Sequence, residues 1–181
     1  MAHVSYRDTR QTLAAMQEKF RESFAEPAVF ALGRSVVETV CAGISPKDYI
    51  SEYTAVLNWV DTHIRYFRDP EPVELVKGPD VLLGRIMRTS QAQEDCESIA
   101  LLIGFLCACA GGRVRFLTVG FMNGPRPARW PQAASWPPHT HAFVQVLDPG
   151  SGSWLTLDPV AGPRVRWMLD AATVARIYSV N

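Results

Sequence analysis

The chain has 181 residues, zero formal net charge and a near-neutral pI, with 48% hydrophobic and 20% charged residues. That composition is ordinary for a globular protein and long enough to bury a real core. It holds no run of lysines or arginines such as a phosphate backbone requires, and no apolar segment approaches the ~20 residues needed to span a bilayer as a helix, so nucleic acid and membrane are excluded as direct partners.

The first residues, "MAHVSYRDTRQTLAAMQEKF", lack an apolar h-region and a small-residue cleavage site, so no signal peptide is expected. Residues 7–25 carry Leu13, Met16, Phe20 and Phe24 at helical spacing, which predicts an amphipathic helix interrupted at Pro27. "AVFALGRSVVETVCAG" (28–43) restarts the pattern and closes on a glycine. "SPKDYISEYTAVLNWVDTHIRYFRD" (45–69) opens with Ser45 as N-cap and Pro46 at the first helical position, and lines up Tyr49, Tyr53, Val56, Leu57, Val60 and Ile64 on one face. Trp59, Tyr66 and Phe67 then fall into the packing surface of that third helix. Residues 1–69 are thus mainly helical, and "PEPVELVKGPDVLL" (70–83), with three prolines, reads as an irregular connection.

"QAQEDCESIALLIGFLCACAGG" (91–112) is unlike the rest. From Ser98 to Gly112 there is no charge, so every face of this helix must be covered by protein, and Gly111 and Gly112 end it. Beyond it the period changes to that of strands: "RVRFLTVGFM", "HAFVQVLD" and "SWLTLD", the last two joined by the turn "DPGSGS". The first two are separated by "NGPRPARWPQAASWPP" (123–138), long enough to mark a functional loop; Trp130 and Trp136, with Arg126 and Arg129, are candidates for a lid. Helices, one buried helix and an antiparallel meander predict an α+β fold. The division expected is a single domain over 1–181, with the helical part in 1–69 and the buried helix plus sheet in 91–168.

The four cysteines, Cys41, Cys96, Cys107 and Cys109, form neither a disulfide framework nor a zinc-ligand spacing, so no metal or cofactor is implied and a reducing compartment is expected. Cys107 and Cys109 lie in the apolar run and read as inert. Cys96 stands at the start of the buried helix, where unpaired N–H groups and the macrodipole favour thiolate, while Glu94, Asp95 and Glu97 oppose it. A neighbouring imidazolium would be needed for activation. Of four histidines, His3 is terminal, His63 is helical, His139 is flanked by prolines and reads as loop, and His141 opens a strand. Asp158, ending "WLTLD", is on the neighbouring strand, about 5 Å away across an antiparallel pair. Its rival Asp148 belongs to turn chemistry.

"EDCESIALLIGFLCACAGGRVRFLTVGF", "HAFVQV" and "WLTLDP" together resemble the three blocks of the transglutaminase-like cysteine peptidase superfamily, in order, over roughly residues 55–160. The resemblance implies a papain/transglutaminase-like core, with Cys at the N-terminus of a buried helix packed on an antiparallel sheet. It gives Cys96 the role of nucleophile, His141 that of base and Asp158 that of orienting acid. Thiol-dependent acyl transfer on an amide follows, with a protein or peptide as substrate. Oxyanion donors are the Cys96 N–H and a side chain, for which Gln91 and Gln93 are the candidates. "WVDTHIRYFRDPEPVELVKGPDVLL" (59–83) is similar to the lead-in segment of the subgroup encoded in bacteriophages and prophages, which implies phage structural proteins as partners and a virion-associated or bacterial cytoplasmic location. Two positions depart from the pattern. Glu94 stands where glycine is usual, placing a side chain beside the thiol, and Phe143 replaces Trp or Tyr. These motivate an alternative, an idle scaffold serving as a structural or binding component of a phage particle.

Overall fold

The computed structural model describes residues 4–5, 9–67, 73–121, 139–160 and 172–180. The lid candidates Trp130, Trp136, Arg126 and Arg129, and His3, lie outside them. The chain folds as α+β, with a helical N-terminal region and a buried helix packed on an antiparallel sheet.

Helix α1 (Thr9–Ala25) buries Leu13, Met16 and Phe20, three of the four positions its periodicity singles out. Phe24 is 41% exposed, yet its ring meets those of Phe20, Phe30 and Phe105. Pro27 is the first residue of α2 (Pro27–Val40), where a missing N–H costs nothing. Helix α3 (Tyr49–His63) starts later than Ser45 and Pro46 predict: residues 45–48 form a turn, with Lys47 at φ 69°, and Asp48 caps the helix by accepting from the Ser51 N–H. It also ends earlier. Ile64–Tyr66 leave the helix as strand β2.

The proline-rich connection conceals a fourth helix. After β1 (Val4–Ser5) pairs with β3 (Val73–Glu74), α4 (Pro79–Thr89) begins on Pro79 at its first position and stops at Ser90, whose φ of 63° is left-handed. A proline just inside a helix start and a proline in a loop look alike in sequence. Strand β4 (Ala92–Glu94) then runs parallel to β2, pairing Ile64 with Ala92 and Tyr66 with Glu94.

Helix α5 (Cys96–Cys109) is buried on all sides; of its residues only Glu97 and Ala108 have appreciable exposure. It lies against the sheet of β5 (Val114–Phe121), β6 (His139–Leu147), β7 (Trp154–Leu157) and β8 (Ala172–Val180), ordered β7-β6-β5-β8 and antiparallel throughout. Strand β6 begins at His139, so the backbone read as loop is already sheet there, past a register shift at Val119/Gly120. Strand β8 extends the sheet beyond residue 168, along the free edge of β5.

Glycines set how closely α5 sits to its neighbours. A Cβ on Gly104 would fall 2.7 Å from the Phe116 ring and 3.2 Å from Val144, and one on Gly33 of α2 would fall 2.5 Å from the ring of Phe105. The buried helix is thus pressed between α2 and the sheet at two points that admit no side chain. On the sheet, Phe116, Ala142, Val144, Val146 and Leu157 face this core, while Leu117, Val119 and Phe143 form a separate cluster on the far face. We expect Gly104→Ala to destabilise the protein by about 1–3 kcal/mol through overpacking, measured as a lower urea midpoint at unchanged m-value.

Candidate active site

The N-terminus of α5 is built by its own sequence. Asp95, extended at φ −84° and ψ −179°, accepts a hydrogen bond from the Ser98 N–H as N-cap. The Asp-Cys pair therefore has a structural reason: the acid closes the helix start, and the thiol takes the first helical position. Ser98 Oγ accepts from the Lys77 N–H at 3.0 Å and donates to the Leu75 carbonyl at 3.3 Å, strapping residues 75–77 to the first turn of α5.

Glu94 is engaged by two cations. It lies in extended strand, and among the described non-glycine residues only Lys47 and Ser90 have positive φ, so no special backbone angle is required there. Its side chain is directed into the protein, 2% exposed, with Oε2 accepting from Lys77 Nζ at 2.7 Å and Oε1 from Arg85 at 3.0 Å. The charge is buried but paired twice, as burial of a carboxylate demands.

His141 and Asp158 meet. Imidazole Nε2 and Asp158 Oδ2 are 2.5 Å apart, both residues are buried, and Asp158 Oδ1 accepts from the Val160 N–H at 2.9 Å. Phe143, two positions along β6 on the same face, stacks against the imidazole with ring centroids 6.0 Å apart. With Nε2 committed to the carboxylate, Nδ1 is the ring nitrogen available for other chemistry. Asp148, by contrast, closes the β6–β7 turn, accepting from Gly150 N, Ser151 N and Ser151 Oγ; the Ser151 hydroxyl above all holds its carboxyl below the usual range. His63 stacks on Trp59, and its Nδ1 lies 2.7 Å from the Trp59 carbonyl, inside α3.

The Cys96 sulfur lies at the first position of α5, on the side of the sheet that Ala142 faces. It donates to Glu97 Oε2 at 3.2 Å, and the backbone N–H of Ala142, the residue after His141, is near enough to favour the thiolate. Among the described residues no hydrogen bond joins thiol and imidazole. Burial pushes the thiol well above its ordinary range, and the charges of Glu97 and then Asp95 push the same way, while the Ala142 N–H pulls it down. The resting group is a protonated thiol whose proton faces a carboxylate. Cys107 and Cys109 are free, buried thiols whose pKa values burial raises, that of Cys109 to about 12. Gln91 and Gln93 flank buried Ala92 and are both exposed; Gln93 pairs with Arg65 across the β2–β4 ladder. Among the described residues no cluster of His, Cys, Asp and Glu has the form of a metal site, and no helix is long and apolar enough to cross a membrane.

Neither a protein-family model nor a curated protein sequence matches the chain. Solved structures do match it. The crystal structure of a "putative protease" from Parabacteroides distasonis superposes with a TM-score of 0.59 at 14% identity, over 96% of this chain and 30% of that one. That of a "putative cysteine protease" from Cytophaga hutchinsonii superposes with a TM-score of 0.51 at 16% identity, over 82% of this chain and 47% of that one. At such identities the likeness is one of fold, and this chain spans less than half the length of either neighbour. The fold is therefore one shared with proteins named as proteases, one of them a cysteine protease.

Two sets of substitutions test this arrangement. Replacing both Lys77 and Arg85 by Met takes both of these cations from the buried Glu94 charge, and should cost about 3–5 kcal/mol in urea unfolding. Glu97→Gln removes the charge that raises the Cys96 pKa and replaces the carboxylate by a weaker, neutral acceptor, so the thiolate fraction at pH 7 should rise and iodoacetamide should label Cys96 several-fold faster, with the inflection of the rate–pH profile moved to lower pH.

Proposed function

We propose that this protein transfers an acyl group from an amide through the Cys96 thiol, as a cysteine peptidase or amidase with water as acceptor, or as a transamidase with an amine. The observation that carries the reading is the buried His141–Asp158 contact, on the strand whose next residue, Ala142, turns its N–H toward the Cys96 sulfur closely enough to favour the thiolate. In the reaction, rotation of the Cys96 side chain exchanges Glu97 for Nδ1 of His141, which takes the thiol proton. The thiolate attacks the carbonyl carbon, forming a C–S bond. As the C–N bond breaks, the imidazolium returns the proton to the leaving amine. Asp158 on Nε2 fixes the tautomer that leaves Nδ1 unprotonated beforehand and stabilises the cation formed afterwards. Oxyanion charge is met by the Cys96 N–H, one of the unpaired donors of the α5 N-terminus, together with the side-chain amide of Gln91 or Gln93.

The fold neighbours named as proteases support the peptidase side of this reading. The likeness of residues 59–83 to the phage-encoded subgroup remains a resemblance of sequence. One observation favours a second reading, an idle scaffold with a structural or binding role: the thiol proton is held by Glu97, and burial disfavours the thiolate.

Turnover of fluorogenic peptide amides, and incorporation of a labelled primary amine, separate the two. Under the enzymatic reading Cys96→Ala abolishes both signals at unchanged circular dichroism, and Asp158→Asn lowers kcat by roughly 10²–10⁴-fold. Activity surviving in Cys96→Ala removes the acyl-transfer reading, and no activity in the parent protein leaves the scaffold.

A further inference from the structure

We propose that the cavity enclosed by α1, the start of α2 and residues 75–81 is a recognition site for an aliphatic ammonium group, as carried by a lysine side chain or a free alkylamine. Cys96 is not part of its lining, and its occupancy does not depend on the acyl-transfer reading.

The cavity measures about 400 Å³, in the range of sites that hold a small molecule. Lys19, Glu22 and Ser23 of α1, with Glu26 just beyond it, form one wall at helical spacing. Gly78 and Asp80 at the start of α4 border the same space. A Cβ on Gly78 would fall 2.3 Å from Asp80 Oδ1 and 3.6 Å from Lys19 Cδ, so α1 and the first turn of α4 close on each other at this point.

The cations here are already committed. Lys19 Nζ holds Glu22 Oε2 at 2.6 Å, and Lys77 Nζ holds Glu94 Oε2 at 2.7 Å. Among the described residues, the carboxylates of Glu26 and Asp80 have neither an ion-pair nor a hydrogen-bond partner, and Glu26 makes no side-chain bond as N-cap of α2. The N-terminus of α4 would favour an anion, but Asp80 in its first turn supplies one. What the lining lacks is positive charge.

Ser23 points to the same ligand independently. It is 4% exposed and lines the cavity, yet among the described residues its hydroxyl makes no hydrogen bond. Thr39, Thr54 and Thr62, by contrast, all donate to the carbonyl four residues back in their helices. A buried hydroxyl ordinarily has a partner, and a bound ammonium would donate to this one. Val29, Val76 and Val81 offer apolar lining for the alkyl stem. Residues 75–77 are also the segment that Ser98 straps to α5, so an occupant lies one backbone segment away from the helix of Cys96.

Backbone-amide NMR spectra of the full chain, titrated with Nα-acetyl-lysine methylamide, read the site. Amides within residues 22–29 and 75–81 should shift saturably. Acetylating the side-chain nitrogen, which removes the charge and keeps the stem, should weaken binding by about 10-fold or more. Glu26→Gln and Ser23→Ala should each weaken the lysine compound several-fold, and Glu26→Gln/Asp80→Asn should abolish saturation while amide shifts of α5 and the sheet stay as in the parent. Pentylamine separates the sources: binding as tight as that of the lysine compound assigns the site to a free amine, weaker binding to a peptide side chain. No shift at these amides up to about 50 mM ligand, equal affinity for the charged and acetylated compounds, or undiminished binding in the double variant overturns the inference and leaves the thiol chemistry untouched.

Discussion

A carboxylate removed from water, that of Glu94, is the constraint on which the rest of the site depends. Alone in the interior it would cost several kcal/mol, so the fold has to bring cations to it. Lys77 comes from the segment before α4 and Arg85 from α4 itself. Together the three side chains tie β4, the 75–78 segment and α4 into one block. Ser98 adds two hydrogen bonds from the same segment to the first turn of α5, and Asp95 caps that turn. The helix start is thereby held from several sides, and the sulfur at its first position inherits that rigidity. A glutamate in place of glycine before an Asp-Cys pair is, in this chain, an anchor.

The same assembly sets two influences against each other at the thiol. A helix N-terminus favours an anion there by about 0.3–1 kcal/mol. Full burial can move a titratable group by several pK units in the opposite sense, and two adjacent carboxylates add to that. Burial wins, and the sulfur keeps its proton. Under the proposed acyl transfer, chemistry at this sulfur begins with a change of hydrogen-bond partner, from Glu97 to a base, and the imidazole of His141 is the candidate, its Nε2 already held by the buried Asp158 carboxylate.

How much of this the amino-acid string discloses depends on the kind of signal. The buried helix is plain, because a helix with no charge from Ser98 to Gly112 has no face fit for water. Its glycine stop and the meander of β5, β6 and β7 follow from period and turn chemistry. The nearness of Cys96, His141 and Asp158 along the fold rests on the order of three blocks more than on any residue alone. Other features are hidden for definite reasons. Pro79 serves equally well as loop marker and helix start, so α4 leaves no distinct trace. The helical period of residues 49–64 runs on into Tyr66 and Phe67 with nothing to mark its end, since the exit at Ile64 is imposed by pairing with Ala92. The pairing of Glu94 with Lys77 and Arg85 spans 17 and 9 positions and has no periodicity to announce it. Strand β8 has a readable alternation in "ATVARIYSV", which the meander alone does not require.

The far face of the sheet carries one more constraint. Arg115 reaches across to Gln145, Gln145 to Thr156, and the Arg115 guanidinium lies 4.1 Å from the centre of the Trp154 ring, so three strands are pinned side to side by polar links as well as by backbone pairing. In a sheet, sliding one strand by a single residue turns every side chain to the opposite face. Slippage of β6 would send His141 into the hydrocarbon interior and bring Ala142 out opposite Asp158. A molecule mispaired in this way keeps its backbone ladder yet loses the imidazole–carboxylate pair, so the pairing of His141 with Asp158 reports on whether the strands are correctly threaded.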